Sequence, residues 1–256
     1  MSVIKSRDNA RVKRWAKLVS DSSVRRSEKR VIVEGPHLVA EALKSGVKPL
    51  AFIVSESGLQ RAEIRNLVGK HEPVVLGDHI FGIVAEAQTP PGIALEIAIP
   101  DTSGAPEKTA VFLEGIQDPS NVGAILRTAA AFGIGDVVLD QACADAWSSK
   151  ALRAGMGGHF KLALRRVTDL AKELDAFDGK LVCTASTQGV ALNKADLNGK
   201  LGWIFGAEGQ GVRETTAAKA ALRVTIPMAP GTESLNVAAA AAICLYAGFS
   251  RGSGSQ

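Results

Sequence analysis

The chain is poor in cysteine, in metal-ligand patterns and in long apolar runs, and each shortage narrows what it can be. Cys143, Cys183 and Cys244 are few, odd in number and far apart. They make no disulfide framework and point to reduced thiols, so a cytoplasmic setting is expected. No apolar run approaches the ~20 residues that span a bilayer, so no membrane partner is expected. Basic residues open the N-terminus, but no apolar stretch follows them as in a secretory signal. His37, His71, His79 and His159 fall in no HExxH or CxxC pattern, so the expectation is no metal. What remains is an ordinary globular balance, 46% hydrophobic and 22% charged in 256 residues. That is enough for one large domain or two small ones.

Charge is unevenly placed. Residues 1–30 hold ten Lys/Arg and three acids, so this segment carries +7 and the rest of the chain −3 of a total of +4. A basic arm on a near-neutral body suits a polyanion. On charge alone a solvated amphipathic helix accounts for it equally well.

The pattern along the chain alternates strands and helices, which indicates an α/β layer structure. Residues 9–19 read as a basic helix with Val12, Trp15, Ala16 and Val19 on one face. Strands at 30–35, 50–55, 73–77 and 92–99 alternate with helices at 36–46, 59–69 and 78–87. The stretch PDTSGAPEKT has no periodicity and reads as a linker. Domains are therefore expected at 1–100 and 109–250, joined by a linker at 101–108 and ending in a flexible tail at 251–256. Strands of the second half fall at 109–116, 136–140, 161–167, 181–186, 201–206 and 222–228. They are short and apolar, as in a mostly parallel sheet buried on both faces. An alanine-rich helix over 234–248 closes the fold.

Three segments of the second half carry chemistry. In EGIQDPSNVGAILRTAAAFG a polar turn leads into a helix, with Ser120 or Asn121 suited to cap it. Arg127 is surrounded on that helix by Gly123, Ala124, Ala130 and Ala131, which permits close packing; a surface arginine on an alanine-rich helix is the plain alternative. In IFGAEGQGV a strand runs into a glycine-rich turn around Glu208. It is neither a Walker loop nor a dinucleotide fingerprint, which argues against a nucleotide-dependent oxidoreductase. In IPMAPGTESLNVAAAAA a Pro/Gly loop bends into a helix whose first free N–H groups can receive an anion or a carbonyl.

Taken in order, these segments resemble the SpoU/TrmH family of SPOUT methyltransferases. The resemblance rests on Asn121, Gly123 and Arg127, on Gly206, Glu208, Gly209 and Gly211, and on Ile226, Pro227 and Met228 followed by Ser234, Leu235 and Asn236. It covers about residues 109–248. SSKALRAGMGGHF is similar to a family stretch in which Arg153 lies near an RNA phosphate, although the family often has Ser where this chain has Gly155. SRDNARVKRWAKL and VEGPHLVAEAL are similar to the α/β substrate-recognition domain of rRNA-modifying members, which is related to kink-turn-binding ribosomal proteins.

The resemblance implies an RNA ribose 2′-O-methyltransferase, with large-subunit rRNA favoured over tRNA as substrate. It implies a trefoil-knotted, mostly parallel C-terminal domain, S-adenosylmethionine as methyl donor and a homodimer. Arg127, Asn121, Glu208, Ser234 and Asn236 are the implied catalytic set. Thr184, Ala185, Gly206, Gly209, Ile226, Met228 and Leu235 are the implied cofactor contacts. Removing charge from Arg11, Arg14 and Lys17 should weaken RNA binding and flatten its salt dependence, because each phosphate contact releases counterions. A non-catalytic RNA-binding or ribosome-assembly protein on the same fold is the alternative, and the intact polar set argues against it.

Overall fold

The computed structural model describes residues 2–86, 89–231 and 234–252. The tail expected at 251–256 lies mostly outside the described residues, as does the last residue of the helix expected at 78–87. By contact the chain divides into two units, Met1–Asp101 with Asp145–Phe160, and Thr102–Ala144 with Lys161–Gln256.

The first unit opens with α1 (Ala10–Ser20) and α2 (Ser22–Glu28), followed by β1 (Arg30–Glu34), α3 (Pro36–Lys44) and β2 (Pro49–Ser55). Then come α4 (Glu56–Leu59), α5 (Ala62–Val68), β3 (Val74–Leu76), α6 (Asp78–Phe81) and β4 (Ile93–Ala98). Its sheet has the order β1-β4-β2-β3, with β4 antiparallel to both neighbours and β2 parallel to β3. Asn9 caps α1 by accepting from the Arg11 amide at 2.9 Å. The helix buries Val12, Trp15, Leu18 and Val19, so Leu18 takes the inward place expected of Ala16.

One carboxylate docks α1 on this sheet. Glu96 of β4 is buried and accepts from Arg14 Nη2 at 2.7 Å, Arg30 Nη1 at 2.9 Å and Trp15 Nε1 at 2.8 Å. Arg14 also donates through Nε to Glu28 at 2.7 Å. Burial pushes the Glu96 carboxyl up, but the bonds from Arg14, Trp15 and Arg30 together outweigh it and hold the group below the usual carboxylate range.

The second unit begins with β5 (Ala110–Leu113), α7 (Pro119–Ala131) and β6 (Asp136–Leu139). The chain then supplies α8 (Ser149–Gly155) to the first unit. It was expected to lie within one domain spanning 109–250. A long-range pair anchors the excursion: buried Arg25 donates through Nε to Asp145 at 2.7 Å, and through Nη1 to the carbonyls of Leu18 and Val19. The turn after α8 passes so near α3 that a Cβ on Gly157 would meet Glu41 Cβ at 2.8 Å. His159 closes the segment, with Nε2 at 2.7 Å from the Ala146 carbonyl. Burial pushes its pKa down to about 4, so it is neutral.

The chain resumes with β7 (Ala163–Arg166), α9 (Leu170–Asp175), β8 (Lys180–Thr184) and β9 (Val190–Ala191). It ends with β10 (Leu201–Phe205), α10 (Glu214–Ala217), β11 (Leu222–Thr225) and α11 (Val237–Gly252). The sheet order is β7-β6-β5-β10-β8-β11-β9, with every pairing parallel. Strands β5 and β10 are wholly buried, as the apolar runs required. All strand C-termini therefore point to one edge. From β11 the chain returns so that α11 packs on α7 and β10.

The Glu96 cluster generates a stability prediction. Glu96→Ala should cost about 3 kcal/mol, the low end for removing one partner of a buried pair, since Arg14 and Arg30 still reach water. Because its native pKa is depressed, Glu96 contributes stability above the ordinary carboxyl value of 4.5, and this is lost as pH falls through the native value. Acid denaturation followed by circular dichroism should show a weaker loss below pH 4.5 in Glu96→Gln than in wild type.

Candidate active site

The strand ends of the second unit gather the polar residues singled out from the sequence. Asp118 caps α7, accepting from the Ser120 amide at 2.9 Å, with Pro119 in the first turn. The cap was expected at Ser120 or Asn121, and the difference matters. Asn121 is released from capping and points its side chain out of the helix.

At the other end of the network, Asn236 caps α11. Its Oδ1 accepts from the amides of Ala238 at 2.9 Å and Ala239 at 3.3 Å. The helix thus starts at Val237 rather than Ser234. With Oδ1 held by helix N–H groups, Nδ2 of Asn236 faces outward and donates to Asn121 Oδ1 at 3.0 Å. That in turn presents Asn121 Nδ2 to Glu208 Oε1 at 2.5 Å. A free helix terminus therefore sets the direction of both amides, and the chain ends on a carboxylate acceptor.

Glu208 sits at the tip of the turn between β10 and α10. Gly209 and Gly211 have φ of +84° and +71°, and the Gly211 amide bonds back to the Ala207 carbonyl at 2.8 Å. A Cβ on Gly206 would meet the Gly211 carbonyl carbon at 2.1 Å, so this reversal demands glycine.

Other expected residues line the same strand edge without joining the hydrogen-bonded chain. Thr184 ends β8 and Ala185 follows it, its amide donating to the Val224 carbonyl at 2.9 Å. Ile226 and Met228 are half-buried, whereas Ser234 and Leu235 are exposed. Residues 226–229 lie outside regular secondary structure and 230–231 form a turn. Exposed Leu235 and half-buried Ile226 and Met228 offer apolar surface beside them. These features suit a nucleoside bound through backbone groups and apolar contacts.

Arg127 is exposed on α7 and makes no hydrogen bond or ion pair among the described residues. Six residues of helix separate it from Asn121, about 9 Å along the axis and about 120° around it. It therefore faces away from the amide chain of its own subunit. Of the expected RNA contacts, Arg11, Lys17 and Arg153 are exposed, all in the first unit. Arg14 instead has a structural duty in the Glu96 cluster.

Burial favours the protonated thiol at the cysteines. Burial pushes Cys143 up to about 12, helped by Asp140 beside it, and burial raises Cys183 as well. All three cysteines are free and buried. Among the described residues no cluster of His, Cys, Asp and Glu is suited to a metal ion, and no helix is long and apolar enough to cross a membrane. Sequence reasoning missed Glu114, Arg213 and Thr216, a cluster at the exit of the glycine turn in which Glu114 and Thr216 are buried and Arg213 is exposed. A carboxylate ending the apolar run AVFL was the available signal.

Comparison with known proteins gives consistent matches. The SpoU rRNA Methylase family matches residues 108–246, and the MRM3-like substrate binding domain matches residues 9–95. The chain is 33% identical over 248 residues to the 23S rRNA (guanosine(2553)-2′-O)-methyltransferase RlmP of Bacillus subtilis, covering 96% of this chain and 98% of that protein. An AdoMet-bound rRNA methyltransferase from Sinorhizobium meliloti is similar in structure, with a TM-score of 0.82, 25% identity and 98% of each chain covered. A protein solved in work on 2-OH methylation of C/U34 on tRNA has a TM-score of 0.53 and 27% identity. There, 99% of that chain corresponds to 59% of this one.

The capping geometry separates two substitutions of one residue. Asn236→Ala removes the α11 cap and should cost about 1 kcal/mol. Asn236→Asp keeps the acceptor, adds favourable charge at the helix start and should match wild-type stability to within about 0.5 kcal/mol. Urea denaturation of the two variants checks this; equal losses would show that Asn236 does not cap the helix.

Proposed function

The chain belongs to the SpoU rRNA methylase family, and from that premise we propose that it methylates a ribose 2′-OH of large-subunit ribosomal RNA, using S-adenosylmethionine. The observation that carries the reading is the intact chain Asn236–Asn121–Glu208 at the strand edge, with Arg127 on the same helix as Asn121 and free of partners among the described residues. A non-catalytic relative would have no need to keep this set complete. The substrate-binding match over 9–95 supports rRNA over tRNA, as does the tRNA-related structure's correspondence to only part of this chain. Action in the cytoplasm belongs to the same proposal.

S-adenosylmethionine, when bound, supplies a methyl group already activated on a sulfonium, so this transfer asks for no metal. The strand-end loops would hold it: Gly206 and Gly209 from one side, Ile226, Met228 and Leu235 from the other, with Thr184 and Ala185 adjacent. The protein's own task is to orient the 2′-OH and to stabilise the charge that develops on its oxygen as the proton leaves. A guanidinium keeps its proton at neutral pH. Arg127 therefore polarises the hydroxyl and holds the neighbouring phosphate. Asn121 and Asn236 position the ribose, Glu208 fixes the direction of the Asn121 amide, and Ser234 hydrogen-bonds the substrate and relays the departing hydroxyl proton to solvent water. Arg11, Lys17 and Arg153 receive RNA phosphates. The knot expected of the family requires the chain after β11 to pass through a loop before α11 forms, and the return of α11 to α7 supports it.

The enzyme is proposed to act as a homodimer whose two sites each take Arg127 from the other subunit. Two observations support this. Arg127 faces away from its own amide chain, and α11 exposes an apolar stripe of Ile243, Tyr246 and Phe249, 40%, 59% and 48% exposed. Phe132, which follows α7, lies against it, with its ring 5.8 Å from Tyr246 and 5.5 Å from Phe249. A surface of this kind on a two-fold axis is used twice.

Mapping 2′-O-methyl sites across rRNA from cells with and without the protein tests the activity; loss of one large-subunit site is expected, and an unchanged map would contradict the reading. Subunit mixing tests the composite site. Arg127→Ala and Gly206→Trp should each be inactive alone, while co-expressed, differently tagged mixed dimers recover activity through their one intact site. Mixed dimers that co-purify without activity would place Arg127 in its own chain's site.

A further inference from the structure

Glu114 follows β5 and is 3% exposed, yet it lies outside the polar set assigned to the reaction. All of its side-chain bonds go to the exit of the glycine turn. Oε2 accepts from the Arg213 amide at 2.8 Å, and Oε1 accepts from Arg213 Nε at 2.8 Å and from the Thr216 hydroxyl at 2.5 Å. Arg213 Nη2 stands 2.7 Å from the same Oε1. The main chain of Glu114 holds the entrance, because its amide donates to the Phe205 carbonyl at 2.9 Å, one residue before Gly206. A Cβ on Gly115 would touch Ala207 Cβ at 3.4 Å, so the next residue faces the turn as well.

One residue thus ties both ends of the segment 206–212, while Asn121 holds its tip through Glu208. Asp140 extends the arrangement, accepting from the Gly115 amide at 3.1 Å and the Cys143 amide at 2.9 Å. Burying a carboxylate is costly unless its donors are fixed in place, and the donors here are Arg213 and Thr216, at the start of α10 where the glycine turn ends. A residue needed only for packing could be apolar. A residue needed to hold the backbone of a flexible, glycine-rich turn in one register needs several directed acceptors.

We propose that Glu114 is a positioning residue for the cofactor, acting by fixing the register of the 206–212 turn through Arg213 and Thr216. The inference rests on the reading that this turn contacts S-adenosylmethionine. It assigns Glu114 no contact with RNA or with the reacting atoms. Its loss therefore falls on affinity for the cofactor and leaves the transfer step at saturation largely alone.

The test uses the full-length protein with S-adenosylhomocysteine as the calorimetric probe and large-subunit rRNA in a filter-binding assay. In Glu114→Gln, Kd for S-adenosylhomocysteine and KM for S-adenosylmethionine should rise about ten- to a hundredfold, the scale of a misplacement of about 1 Å. Affinity for rRNA and kcat at saturating cofactor should stay within about twofold of wild type, the pattern for lost binding without lost transition-state contacts. Arg213→Ala keeps the backbone bond to Glu114 and removes only the guanidinium, so a smaller rise in Kd is expected. Should Glu114→Gln not fold, Arg213→Ala decides alone, because the arginine is exposed. Wild-type affinity for S-adenosylhomocysteine in the folded variants would overturn the proposal. So would parallel losses of cofactor affinity, rRNA affinity and thermal stability, which mark a merely structural role. A wild-type protein that binds no S-adenosylhomocysteine would overturn the cofactor reading itself.

Discussion

The free N–H groups at the start of α11 are the constraint on which the site depends. They must find an acceptor, and Asn236 supplies it. Once its oxygen is held there, its amide nitrogen faces Asn121, and the Asn121 amide can turn only one way. Glu208 then meets a donor. Three side chains from α7, the glycine turn and the entry to α11 are thereby fixed relative to one another by a single backbone requirement. The arrangement needs α11 to return to α7 after β11, which the strand order makes possible.

Both units solve the same packing problem in the same way. In each, a carboxylate on or beside a buried strand collects several donors from elements that packing alone would leave free to slide. Glu96 fixes α1 against the first sheet, and Glu114 fixes the turn after β10 against β5. A buried charge adds little net stability when its desolvation is counted. Its contribution here is geometric, since only one arrangement satisfies all of its donors. Precision of this kind matters most where a ligand must be held by backbone groups.

Much of this was legible in the sequence. The alternation of apolar runs and helices located β1 to β8, β10 and β11 to within a few residues, and the three motif segments marked the residues of the amide chain. Local competition hid the rest. Asp118, Ser120 and Asn121 are all good caps, and only the tertiary demand on Asn121 shows why Asp118 takes that place. SSVRRSE has too little apolar periodicity to announce α2, and β9 is two residues long. The departure of 145–160 into the first unit hangs on Arg25 meeting Asp145, a long-range pair with no local signature. For the same reason Arg14 read as a free cation, although Glu96 and Glu28 engage it.

The claim that this polar chain acts on a ribose hydroxyl has a direct chemical readout. Large-subunit rRNA is incubated with the protein and methyl-labelled S-adenosylmethionine, then hydrolysed in alkali. Alkaline cleavage of RNA proceeds through a free 2′-OH, so a methyl group on that oxygen protects the adjoining linkage. The account predicts that the label is recovered in an alkali-stable dinucleotide. Label recovered in mononucleotides would place the methyl group on a base and contradict it.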